Sequence, residues 1–235
     1  MIGEADLSAP ASLMAEPARA SMLLALLDGS ERPASELARV AGIAAPTASE
    51  HLARLTAGGL IDDRRCGRHR YFRLHDDEVA AAIEALSRIA PRQPVNSLRS
   101  ARTGHALAYA RTCYDHVAGQ LGVAIAEALA GRGTIDPLRS GEVGRVSRPH
   151  DPLLRTLGFD IESRTRRPAV RGCLDWTQRR PHVAGRLGEA ILTYLEEQDW
   201  VVRARNDRSL RLSDAGREGF GELFGVDVAA LDRAA

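Results

Sequence analysis

The chain has 235 residues, 44% hydrophobic but only 4% aromatic, so it has apolar mass for one large or two small cores built mainly from Ala, Leu, Val and Ile. All 32 basic residues are Arg and 31 acids nearly cancel them; a net charge of +1 excludes a polycation, and any nucleic-acid surface must come from local charge segregation. No apolar run approaches a membrane span, no basic-then-apolar leader opens the chain, and the odd set Cys66, Cys113 and Cys173 does not suit a disulfide framework, so a cytoplasmic, membrane-free protein with reduced thiols is expected.

Residues 1–10 read as a frayed start. An amphipathic helix is predicted from about Ser12 to Leu27, with Ala20, Leu23, Leu26 and Leu27 on one face, and Asp28-Gly29-Ser30 ends it. A short helix, Ala34 to Val40, follows Pro33 and turns Leu37 inward, and Gly42 makes the next turn. A third helix, Ala45 to Ala57, carries Ala48, Leu52 and Leu55 at i, i+4 and i+7 until Gly58-Gly59 stops it. Leu60 to Asp63 then reads as a strand, Arg64 to His69 as a turn, and Arg70 to Leu74 as a returning strand.

A hairpin directly after a helix-turn-helix is a wing. The segment Arg64 to Arg73 holds Arg64, Arg65, Arg68, Arg70 and Arg73 with His69 and Tyr71 and no acid, a cationic finger suited to phosphates or a minor groove. On the third helix, Thr47, Ser49, Glu50, His51 and Arg54 fall on or beside the face opposite the apolar stripe. Thr47 and His51 are the stronger candidates for base or phosphate contact. Glu50 either accepts from a cytosine amino group or is simply solvated, and Arg64 and Arg65 face a similar choice.

The segments Glu36-Leu37-Ala38, Ala45-Pro46-Thr47-Ala48-Ser49-Glu50-His51-Leu52, Gly58-Gly59-Leu60-Ile61 and Gly67-Arg68-His69-Arg70-Tyr71-Phe72-Arg73-Leu74 together resemble the ArsR-type winged-helix repressors. The resemblance covers residues 1–91. It implies a transcriptional regulator, a homodimer, and a double-stranded DNA operator arranged as an inverted repeat with the third helix in the major groove. A helix from Asp77 to Ala90, started by Asp77, has an alanine face at Ala81, Ala82 and Ala85 that resembles the family's dimerising helix. The family's two familiar metal sites do not carry over: Glu36 to Ala41 lacks cysteine, and Asp77 to Ala90 lacks histidine.

A polar, Pro-containing linker is expected over 92–104 and a duplicated module over 105–235, with repeats at about 105–165 and 166–235. The sequence His116-Val-Ala-Gly-Gln-Leu-Gly-Val-Ala-Ile125 matches His182-Val-Ala-Gly-Arg-Leu-Gly-Glu-Ala-Ile191, and each copy follows a Cys-x-Asp triplet, Cys113-Tyr114-Asp115 and Cys173-Leu174-Asp175. The expected fold class is mostly α with small β-hairpins (α+β), a winged helix-turn-helix followed by two degenerate winged-helix-like repeats.

On a helix, Cys113 and His116 would share a face. Paired across two repeats, Cys113, His116, Cys173 and His182 would suit zinc or another transition metal, or else form a packing seam of small apolar thiols and capping imidazoles. A small-molecule pocket lined by Tyr109, Tyr114, Trp176 and Trp200 is a further reading, so the second module either senses a metal or small-molecule effector that releases the repressor, or carries a metal- or thiol-dependent sensor or enzyme activity, or serves only as a dimer scaffold. No nucleophile elbow, phosphate loop, His-Glu-x-x-His or dense carboxylate pair argues for an enzyme.

Overall fold

The computed structural model describes residues 4–91, 97–205 and 207–233. The chain divides into two compact units, Met1–Ile89 and Ala90–Ala235. Among the described residues no helix is long and apolar enough to cross a membrane.

The first unit contains α1 (Ser8–Met14), α2 (Pro17–Leu26), β1 (Arg32–Pro33), α3 (Ala34–Ala41), α4 (Ala45–Ala57), β2 (Ile61–Cys66), β3 (His69–Leu74) and α5 (Asp77–Ile89). The single helix expected over 12–27 is broken in two. Pro17 starts α2 at a position where a missing N–H costs nothing, and the Glu16 carboxylate accepts from Arg19 N at 2.8 Å. Arg19, buried beneath the break, donates to the orphaned carbonyls of Ser12 (2.9 Å) and Leu13 (2.6 Å).

Met22, Leu23, Leu26, Leu37, Leu52, Leu55, Ile61, Phe72 and Leu74 are all buried in this unit. The β-sheet has the order β1-β3-β2, antiparallel throughout, with Cys66 opposite His69. The strands run further than expected, so the wing turn shrinks from Arg64–His69 to Gly67-Arg68. Asp76, one residue earlier than expected, starts α5 by accepting from Val79 N at 2.9 Å.

The second unit contains α6 (Leu98–Tyr109), β4 (Arg111–Cys113), β5 (His116–Ala118), α7 (Gly119–Gly131), β6 (Val143–Gly144), α8 (Pro152–Thr156), β7 (Val170–Leu174), β8 (Pro181–Ala184), α9 (Arg186–Glu197), β9 (Val201–Arg203), β10 (Leu210–Leu212), α10 (Asp214–Phe224) and α11 (Val228–Arg233). Residues 98–104, read as linker, form the first turns of α6; Ser97 and Ser100 cap one another's backbone there. The remainder of that reading, 92–96, lies outside the described residues.

What recurs is a β-hairpin feeding a helix: β4–β5 into α7, and β7–β8 into α9. At each junction a glycine holds a positive φ, +82° at Gly119 and +79° at Gly185, a conformation that a side chain would strain. The packing is crosswise, with α7 against β8, α9 against β5, and β5 beside β8. Helix–hairpin–helix order follows in the second copy as α9, β9–β10, α10. In the first copy it does not: after α7 the chain makes an isolated Ile135–Val146 bridge, and β6 joins β7. Two winged-helix-like repeats are therefore not reproduced element for element. Gly133, Pro137, Gly141 and Gly144 punctuate the stretch where the missing hairpin would lie, which favours turns over paired strands. Leu121, Ile125, Leu129, Val170, Leu187, Leu195, Phe220 and Phe224 belong to one apolar core.

Candidate functional site

Two groups of side chains stand out, one in each unit. In the first, Ala48, Leu52 and Leu55 turn α4 inward, which leaves Thr47, Ser49, Glu50 and Arg54 exposed. Ser49 Oγ donates to Ala45 O at 3.0 Å, and Arg54 donates to Glu50 across one turn at 2.6 Å. Both partners of that pair are solvated, so it holds little energy and is free to exchange for another partner.

His51 departs from expectation. It sits one residue before Leu52 and three after Ala48, bordering the buried stripe, and turns toward α2. Arg19 Nη1 donates to its Nδ1 at 3.3 Å, and its Nε2 lies 3.7 Å from Glu16. An arginine can only donate, so Nδ1 is the acceptor and the proton sits on Nε2, facing the carboxylate. His51 is thus engaged inside the unit rather than presented outward.

The wing is less uniformly cationic than its sequence. Arg64 pairs with Glu31 at 2.5 Å, Arg70 with Asp63 at 2.7 Å, and Arg73 lies 3.7 Å from Asp62. These three acids sit outside the segment Arg64 to Arg73. The Asp62-Asp63 pair, directly before the arginines, was the available signal, because a hairpin brings it back alongside them. Arg65, Arg68 and His69 are exposed at the tip, where Arg68 Nε meets His69 Nε2 at 3.4 Å, and Arg64 lies over the Tyr71 ring. Positive charge is concentrated at the tip and balanced at the base.

In the second unit, the structure brings Cys113, His116, Cys173 and His182 together, with one ligand atom from each within 4.8 Å of all the others. They do not lie on a helix. Cys113 faces His116 across β4–β5, and Cys173 faces His182 across β7–β8, so each hairpin projects one thiol and one imidazole from the same face. The two sulfurs are 3.8 Å apart and the two Nε2 atoms 3.1 Å apart. Cys113, His116 and His182 are buried and Cys173 partly so.

Close approach of the hairpins depends on glycine. A Cβ on Gly122 of α7 would meet Val117 O at 2.3 Å and His182 Cβ at 3.5 Å; one on Gly188 of α9 would meet Val183 O at 2.5 Å and His116 Cβ at 2.9 Å. Each helix thereby seats the histidine of the opposite hairpin. The doubled His-x5-Gly spacing was the sequence signal for this.

Carboxylates back both imidazoles. Asp115 Oδ1 lies 3.2 Å from His116 Nδ1, and Arg167 clamps the same carboxylate at 2.5 and 2.8 Å. Burial disfavours the His116 cation, but the adjoining Cys113 and Asp115 outweigh it and raise its pKa to about 9. Asp175 Oδ2 lies 3.9 Å from His182 Nδ1 and is held by Arg111 (2.8 Å) and Gly119 N (2.7 Å), while its Oδ1 accepts from Thr177 and Gln178. Burial pushes Asp175 upward; Arg111 and these donors overcome it and hold the pKa at about 2. Arg111 also lies 4.8 Å over the Trp176 ring, whereas Trp200 packs with Tyr194 and Phe220, so the two tryptophans of the expected aromatic pocket serve different contacts.

A family model described as a helix-turn-helix domain matches residues 14–64. The chain is 39% identical over 219 residues to the uncharacterized HTH-type transcriptional regulator YdfF of Bacillus subtilis, covering 92% of this chain and 96% of that one. It is 35% identical over 77 residues to the HTH-type transcriptional regulator YgaV of Escherichia coli, covering 32% of this chain and 77% of that one. Among solved structures, the homodimeric winged helix-turn-helix DNA-binding domain of Mb0332 from Mycobacterium bovis, a possible ArsR-family transcriptional regulator, matches with 30% identity over 38% of this chain and 88% of that one, at a TM-score of 0.31.

Proposed function

The chain belongs to the HTH-type transcriptional regulators, and from that premise we propose that it is a homodimeric repressor of the ArsR type that grips an inverted-repeat operator with α4 and the wing and releases it when its second unit takes up an effector. The observation that carries the DNA contact is the pairing of an outward α4 edge, Thr47, Ser49, Glu50 and Arg54, with a cationic wing tip, Arg65, Arg68 and His69. In this reading Thr47 and Glu50 meet base edges in the major groove, while Arg54, Arg65, Arg68, His69, Arg70 and Tyr71 meet the backbone or minor groove. Arg64 and Arg70 are weaker contacts, because Glu31 and Asp63 already neutralise them.

A second copy is the occupant proposed for the outer face of α5. Ala82, Leu86 and Ile89 follow one another at helical spacing on the exposed side, with Leu86 47% and Ile89 81% exposed. A twofold dimer presents two α4 helices to half-sites about one helical turn of DNA apart, which is why an inverted repeat is the expected operator.

The test is fluorescence anisotropy of the full chain on DNA from its own promoter and on a scrambled duplex, across a salt series. Tight, salt-dependent binding with a preference for the promoter is expected. Equal affinity for both duplexes, or unchanged binding by a Thr47→Ala/Arg68→Ala double variant, refutes the assignment.

A further inference from the structure

We propose that Cys113, His116, Cys173 and His182 form a closed tetrahedral site for a divalent ion of the zinc class, joining the two hairpins of the second unit. The site lies outside the winged helix, and its argument does not depend on DNA binding.

The geometry favours an ion over a packing seam. Zinc bound by thiolate at about 2.3 Å and imidazole at about 2.0–2.1 Å requires, at tetrahedral angles, roughly 3.8 Å between sulfurs and about 3.3 Å between nitrogens. The observed separations are 3.8 Å and 3.1 Å. A hydrogen bond between the two imidazoles would account for the 3.1 Å between their Nε2 atoms but not for the two sulfurs gathered beside them. A Cys113–Cys173 disulfide would account for the sulfurs but not for the histidines.

The surroundings fit as well. In ligating histidines the far ring nitrogen typically donates to a carboxylate or carbonyl, which fixes the tautomer and turns the other nitrogen's lone pair toward the metal. Asp115, itself clamped by Arg167, does this for His116. His182 Nδ1 is buried without a hydrogen-bond partner and lies 3.9 Å from the Asp175 carboxylate. Asp115 and Asp175 occupy the same place in the two Cys-x-Asp triplets, so the duplicated motif encodes both the ligand and its support.

The donor set selects the ion. Two thiolates and two imidazoles suit a borderline-soft tetrahedral ion and poorly match magnesium or calcium, which take oxygen ligands. Four protein ligands leave no position for a substrate or an activated water, so the site is of the structural kind, closing the hairpins on one another.

The experiment uses the full chain, purified under a thiol reductant without chelator. One zinc per chain is expected by elemental analysis. After zinc removal, cobalt(II) should give the ligand-field bands of a tetrahedral ion together with a thiolate-to-cobalt charge-transfer band. Cys173→Ser should weaken the charge-transfer band, and Asp115→Asn should lower zinc affinity by roughly tenfold to a hundredfold while leaving the stoichiometry at one. If the variants fail to fold, cobalt titration of the unsubstituted chain still decides. A reduced, folded chain that yields neither zinc nor cobalt bands overturns the proposal. So does recovery of a Cys113–Cys173 disulfide that zinc does not prevent, which would make the pair a redox element instead.

Discussion

Replacing Gly188 with alanine tests how tightly the two hairpin–helix segments of the second unit are joined. In an ordinary helix the change stabilises by about 1 kcal/mol, because glycine gives up more backbone freedom on folding. Here the added methyl would lie 2.5 Å from Val183 O and 2.9 Å from His116 Cβ. The first is backbone of the strand feeding α9 and the second is rooted in the opposite hairpin, so neither moves as the tip of a flexible side chain could. Overpacking of this kind costs roughly 1–3 kcal/mol. With two contacts below 3 Å the upper half of that range applies, and subtracting the helix gain leaves a net loss of about 1–2 kcal/mol.

Gly221 of α10 is the control, since a Cβ there meets nothing within 4 Å and alanine should stabilise. Trp176 and Trp200 are the chain's only tryptophans and both lie in the second unit, so their fluorescence during urea or thermal unfolding reports that unit alone. A drop in Tm of roughly 2–8 °C is expected for Gly188→Ala, with a small rise for Gly221→Ala. Equal or greater stability of Gly188→Ala than of the unsubstituted chain would refute the crosswise packing, and with it the seating of His116.

Other perturbations probe separate parts. Arg68→Ala should weaken binding to operator and unrelated duplex alike and reduce the slope of log affinity against log salt by about 1, whereas Arg64→Ala should do less because Glu31 already pairs with Arg64. Leu86→Glu with Ile89→Glu should convert dimers to monomers in sedimentation; a persistent dimer would move the interface away from α5. Arg111→Met should cost about 3–5 kcal/mol in urea unfolding, because the fully buried Asp175 loses its countercharge. Burial raises the pKa of Asp151, but hydrogen bonds from Thr134 Oγ1 and Leu153 N, with Arg132 and Arg148 nearby, lower it on balance below 3.8. The stability it contributes is therefore present above 3.8 and lost as pH falls below that value, and Asp151→Asn should flatten the acid limb of a stability–pH curve.

The sequence by itself determined α3, α4 and the existence of the wing, because those elements are local, but not the break at Pro17 that separates α1 from α2. Ala48, Leu52 and Leu55 set the buried face of α4, Gly42 and Gly58-Gly59 bound it, and alternation around Gly67 makes the wing. It also marked Cys113, His116, Cys173 and His182 through the doubled motif, because duplicated segments that pack face to face bring equivalent residues together. Periodicity did not reveal that these residues sit on hairpins. Three-residue strands such as Arg111–Cys113 and His116–Ala118 are too short to show alternation, and the spacing of Cys113 and His116 reads equally well as one helical turn. Tertiary contacts alone decided that His51 turns inward, since Arg19 and Glu16 lie 32 and 35 positions earlier in the chain and meet it only after α2 and α4 pack. The same holds for the neutralised base of the wing and for Asp175, whose buried charge is matched by an arginine 64 positions away. Local chemistry fixes where helices and turns form. Which polar groups are buried, and therefore which must find a partner, is settled only when distant segments exclude water together.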